Sequence, residues 1–134
     1  KGPMHLAALV AQRMGGSGGG TIVNIATMGA LRSPGHIAMY CSSKAALIAL
    51  TRSMADEWAP LGIRVNAIAP GPFMTGMLDD LAAQTPGFLE YSEGVTMLKR
   101  SARPEEIVGP VLFFASEASS FVTGQTLAVC GGAI

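Results

Sequence analysis

Charge is scarce in this sequence. Nine basic and nine acidic side chains, 13 % of 134 residues, cancel to a net charge of zero. They form no basic stripe, which argues against a nucleic-acid ligand. Cysteine is scarcer still. Cys41 and Cys130 make neither a disulfide framework nor a CxxC site, and the two histidines, His5 and His36, stand apart. With no HExxH either, no metal is expected, and two isolated cysteines suit a reduced, cytoplasmic setting. No apolar stretch reaches the length of about 18 residues that a membrane span needs without a polar break. No signal peptide is visible, because the Ala/Leu run after Lys1 leads to no small-residue cleavage site. The sequence also lacks an initiator methionine, so its first residue is not expected to be the start of the natural protein.

What is present is apolar. Hydrophobic residues make up 49 %, with 17 glycines and 8 prolines as punctuation. At this length the chain is one domain at most, able to bury roughly two thirds of its unfolded surface. So apolar a composition points to faces that something else covers. Helical spacing of Leu6, Leu9, Val10 and Met14 predicts a helix over residues 4–14, ended by "GGSGGG" (Gly15–Gly20). Two β-branched or apolar runs, Thr21–Thr27 and Gly62–Pro70, predict buried strands around a helix from Ile37 to Ala59. Residues 71–103 read as irregular, with short helices. Pro104, Glu105 and Glu106 open a further helix, in which Pro110 should cause a kink or an early stop. Gly124–Cys130 predicts a last strand. Helices alternating with continuous apolar strands imply an α/β fold, a parallel sheet covered on both faces. Thr21–Thr27 carries no charge or proline to blunt an edge, so the three strands read as part of a larger sheet.

The glycine run is not a phosphate cradle. A dinucleotide fingerprint follows a strand and opens a helix, whereas Gly15–Gly20 ends a helix and enters a strand, without GxGxxG spacing. It reads as a flexible surface turn. The stretch "YCSSK" offers more. Tyr40 and Lys44 lie four apart, so on a helix they share a face. A phenol titrates near about 10, and an ammonium beside it favours the phenolate. Such a pair can pass a proton to or from a substrate oxygen. On spacing alone the plainer alternative stands beside this: a tyrosine at a helix entry and a solvated lysine.

The surroundings narrow the choice. A strand ends in a hydroxyl residue, Thr27, thirteen positions before the tyrosine of YxxxK (Tyr40, Lys44). A helix follows, then "NAIAPG" (Asn66–Gly71), with Thr75 four positions after that glycine. With "KRSARPEEI" and "FVTGQTLAVCGG" further on, the whole chain closely resembles the short-chain dehydrogenase/reductase family. The resemblance implies the C-terminal half of a Rossmann-type, doubly wound parallel sheet. Residues 1–134 would form a partial NAD(P)-binding domain carrying the catalytic residues and substrate lid, with the N-terminal glycine-rich cofactor half absent.

By that resemblance Tyr40 is the general acid/base in an interconversion of secondary alcohol and ketone. Lys44 assists it and hydrogen-bonds the ribose of NAD or NADP, with Tyr40 also in contact with that cofactor. Thr27, where the family usually has serine, orients the substrate oxygen, and its added methyl would restrict substrate shape. Pro70, Gly71, Phe73 and Thr75 would lie along the nicotinamide, the alternative being an ordinary Pro-Gly turn with a buried Phe. His36 and Met77 would face the substrate, although His36 also suits a plain loop histidine. The apolar segment 76–100 reads as a lid over a fairly hydrophobic substrate. Asn66 reads as structural. Cys130 replaces a common aspartate, which affects local capping. The helix from Ile37 to Ala59 is apolar on more than one face and, with residues 1–14, implies a homodimer or homotetramer. Packing against the absent half is the alternative. Since no phosphate-binding turn is present, this chain alone should be inactive, and a non-catalytic half-domain serving assembly or binding is the rival reading.

Overall fold

The computed structural model describes residues 1–133. In chain order the elements are α1 (Gly2–Gly15), β1 (Gly20–Ile25), α2 (Gly29–Arg32), α3 (Ala38–Trp58), β2 (Ile63–Pro70), α4 (Gly76–Gln84), α5 (Phe88–Gly94), α6 (Val108–Ala115) and β3 (Thr126–Val129). The three strands are parallel in the order β1-β2-β3, with Ile22 opposite Val65 and Ala67 opposite Thr126. The expected α/β architecture is therefore present.

Side chains along a strand alternate between faces, and each face of this sheet has its own cover. Ile63 and Val65 pack with Ala7 and Ala11 of α1 and with Met54, Ala55 and Trp58 of α3. The neighbouring positions Thr21 and Arg64 turn the other way, toward α6. There the Thr21 hydroxyl donates to the Phe114 carbonyl at 3.1 Å, and Arg64 donates to the same carbonyl at 3.3 Å and to Ser119 Oγ at 2.7 Å. That double cover explains why β2 is buried from Ile63 to Ala69 apart from Arg64. Asn66 is buried within it. Its amide donates to the Val122 carbonyl and its Oδ1 accepts from the Gln125 N–H, which aims the turn that enters β3.

One element differs from the sequence expectation. The segment 104–115 is not one helix. Pro104–Ile107 forms a 3-10 turn, and α6 starts only at Val108. Pro110 then falls in the first turn of α6, where an N–H has no intrahelical partner to lose. The run Gly15–Gly20 is a surface turn, exposed at Gly16–Gly18, but it is closely packed at Gly19 and Gly20. Gly19 has φ +103°, and a Cβ there would overlap the Gly62 carbonyl, so the loop before β1 crosses the loop before β2 backbone to backbone. On α3 the face against the sheet is Leu47, Ile48, Thr51, Met54, Ala55 and Trp58, while Ala46 and Ala49 are exposed.

Thr51 is polar, yet fully buried. Its hydroxyl donates to the Leu47 carbonyl at 2.8 Å and accepts from the amide of buried Asn24 at 2.9 Å. Thr51→Val keeps the shape but orphans that amide. We expect a loss of about 1–3 kcal/mol, measured by urea unfolding, and an unchanged midpoint would show that Asn24 finds another partner.

Candidate active site

Parallel sheets place ligands at the carboxyl ends of their strands, and the candidate residues meet at that end. Beyond Ile25 the chain keeps pairing with β2. Ala26 N–H donates to the Ile68 carbonyl at 2.7 Å and Met28 N–H to the Pro70 carbonyl at 2.8 Å. This carries Thr27 alongside the end of β2. Thr27 Oγ1 accepts a long bond from the Gly29 N–H, 3.4 Å, so its own O–H stays free to donate.

Tyr40 is the third residue of α3. Its neighbour Cys41 is buried against α2, close enough that a Cβ on Gly29 would lie 3.0 Å from its Sγ. Burying Cys41 sets the rotation of the helix, since each residue turns it by about 100°. Tyr40 is left half exposed. One turn on, the Lys44 ammonium donates to the Ile25 carbonyl at 2.8 Å, at the end of β1.

These residues share one cleft of about 490 Å³. Thr27, Tyr40, Lys44, Pro70, Gly71, Phe73, Thr75 and Met77 all line it, together with Leu78 and Leu81 of α4 and with Pro104 and Ile107. Gly71 is held by its N–H to the Val129 carbonyl, 2.9 Å, and Phe73 pairs with Ala102 in a single parallel bridge. His36 is the exception. It is exposed on the turn Gly35–Ile37 and is not among the cleft-lining residues. Pro104 and Ile107, in contrast, were not expected there. They come from a turn thirty residues downstream, and no local signal in the sequence ties it to the cleft.

The hydroxyl and ammonium donors that line this cleft suit the nicotinamide end of a dinucleotide. They do not fit its phosphates, because the strand-to-helix turns at residues 26–28 and 71–75 lack GxGxxG spacing. Behind the cleft, Glu106 is held well below its ordinary value of 4.5, at about 2. The first cause is the hydrogen-bonded Arg100 side chain, followed by the Arg103 N–H. A depressed carboxylate stabilises the fold fully above pH 4.5 and loses that contribution as pH falls toward about 2. Melting curves should therefore show a small, salt-sensitive gap between the protein and Glu106→Gln near neutral pH, closing over that window. A gap that stays constant down to pH 2 would contradict it.

A family profile described as enoyl-(acyl carrier protein) reductase matches residues 1–133. The A-factor type gamma-butyrolactone 1'-reductase (1S-forming) of Streptomyces virginiae is 42% identical over 123 residues, covering 92% of this chain and 48% of that protein. An NAD-dependent glycerol dehydrogenase of Listeria innocua is 36% identical over 132 residues, covering 98% of this chain and 51% of that protein. A gluconate 5-dehydrogenase from Burkholderia cenocepacia, solved with NADP and tartrate, superposes with a TM-score of 0.89 at 37% identity. That match covers 95% of this chain and 49% of the other. The chain thus spans about half the length of these three relatives.

Proposed function

Since the chain belongs to the short-chain dehydrogenase/reductase family, we propose that it carries the proton-transfer half of an oxidoreductase interconverting a secondary alcohol and a ketone with NAD or NADP. The observation that carries this reading is the shared cleft, in which Thr27, Tyr40 and Lys44 sit together at the carboxyl end of the sheet. When bound, the nicotinamide supplies the hydride chemistry. The chain's own residues do the rest. Tyr40 gives its phenolic proton to the substrate oxygen in reduction and takes it back in oxidation. The free O–H of Thr27 orients that oxygen. Lys44, held by the Ile25 carbonyl, brings its ammonium into the same cleft, where it would hydrogen-bond the ribose. Pro70, Gly71, Phe73 and Thr75 support the nicotinamide, and Met77, Leu78 and Leu81 wall the substrate off from water. Those apolar walls support a fairly hydrophobic substrate.

Residues beyond the described ones would hold the adenine and phosphates. Association of copies through residues 1–14 and 37–59 belongs to the same proposal, supported by the exposed Met4, Leu6 and Leu9. A second reading, assembly or binding without catalysis, rests on β1, which pairs on one side only among the described residues. Titrating the chain with NADH and NADPH, followed by nicotinamide fluorescence, separates the two. No saturable binding is expected for residues 1–134 alone, and micromolar binding would show that these residues complete a cofactor site unaided. Binding by the enzyme that carries the chain is expected, and its failure would favour the non-catalytic reading. Among the described residues no helix is long and apolar enough to cross a membrane.

A further inference from the structure

Beyond Phe73 the chain runs through α4, which still lines the cleft, and α5, and returns at Arg100–Ala102. The return is pinned at Ala102, whose N–H donates to the Pro72 carbonyl at 2.9 Å and whose carbonyl accepts the Met74 N–H at 2.8 Å. Immediately beyond this neck, one carboxylate collects several donors. The Arg100 guanidinium reaches both oxygens of Glu106 at 2.7 Å, and the Arg103 N–H reaches Oε2 at 2.8 Å. Glu106 thereby ties the start of the segment 100–106 to its end. Glu106 itself belongs to the Pro104–Ile107 turn, whose Pro104 and Ile107 face the cleft. Arg100 and Glu106 face a separate hollow of about 150 Å³ behind it, shared with Pro72, Ala102 and Cys130.

We propose that the Arg100–Glu106 pair is a strut that positions the apolar wall of the cleft, Pro104 and Ile107, and through Ala102 its floor at Phe73. Both are positioning residues, and their part in turnover rests on the function proposed above. Two parallel N–H···O bonds fix direction as well as distance, and the guanidinium fork admits one approach to the carboxylate. The side chains of Arg100 and Glu106 are 48% and 30% exposed. Pairs so exposed add little to global stability, so the strut should act locally. Its loss should let the turn drift without unfolding the domain. The carboxylate stays ionised far below neutral pH, so the strut persists across any working range.

The test uses Glu106→Gln, Arg100→Met and the double variant in the enzyme that carries this chain. Each single change should raise KM for the ketone roughly three- to ten-fold with kcat within about two-fold, the signature of lost binding geometry. The double variant should be no worse than the worse single one, because the two residues act as a unit. A second measurement needs no turnover. In Glu106→Gln, which keeps every basic residue, trypsin should cut after Lys99 and Arg100 several-fold faster while the melting midpoint barely moves. An unchanged KM or an unchanged cleavage rate overturns the strut, and so does a fall in midpoint that tracks kcat. If the unsubstituted enzyme turned over no alcohol or ketone, the functional reading would fail, and the cleavage comparison would still decide the strut.

Discussion

Tyr40→Phe is expected to lower kcat by about 100- to 10,000-fold, the range that a positioned acid/base contributes. Tyr40 is 48 % exposed on the first turn of α3, so removing its hydroxyl opens no cavity. Stability should stay within about 0.5 kcal/mol. Because the phenol is proposed to act on the reacting oxygen, dinucleotide affinity should change little while turnover collapses. Steady-state kinetics with fluorescence titration of the same preparation would separate these effects. A variant that kept its full rate would remove Tyr40 from the chemistry and leave Thr27 or a residue outside this chain as the proton donor. A variant that lost cofactor affinity in proportion would make Tyr40 a binding residue.

Gly71→Ala should be the most damaging single methyl group in the cleft. A Cβ at Gly71 would lie 2.7 Å from the Cys130 Cα and 2.9 Å from its Cβ. Backbone cannot rotate aside as a side chain can, so either the Pro70–Phe73 loop or the residue after β3 must move. Overpacking of this kind costs about 3 kcal/mol at the upper end of its range. The Gly71 N–H bond to Val129 would stretch with it. Since Pro70, Gly71 and Phe73 line the cleft, kcat/KM should fall by at least about 10-fold, as misplaced groups near reacting atoms do. Gly76→Ala is the control, because a Cβ there meets nothing within 4 Å at the start of α4. Equal stability of the two variants by urea unfolding would show that the loop yields freely.

Part of this protein is written in local pattern. β-Branched and apolar runs predict strands wherever both faces are buried, and β2 matches its predicted span within one residue. The i,i+4 spacing of Tyr40 and Lys44 puts them one helical turn apart, and both line the cleft. Chain order places Thr27 and the Pro70–Thr75 loop at the ends of adjacent strands, because parallel strands bring all their carboxyl ends to one side. These features depend on neighbours within a few residues or on strand direction alone, so the sequence suffices for them.

Other features arise only when distant segments meet. Gly19 and Gly71 need to be glycine because Gly62 and Cys130 lie against them, and neither partner is near in the chain. The 3-10 turn at Pro104 shares its helix-start signals with an ordinary helix. Its contacts to Arg100 and its place in the cleft depend on segments that meet only in the folded chain. His36 sits four residues before Tyr40 but lies off the cleft, since the turn Gly35–Ile37 does not continue the phase of α3. Periodicity carries a residue's direction only within one unbroken element. Across a turn, steric fit between non-local backbones decides, and that information exists only once the chain has folded.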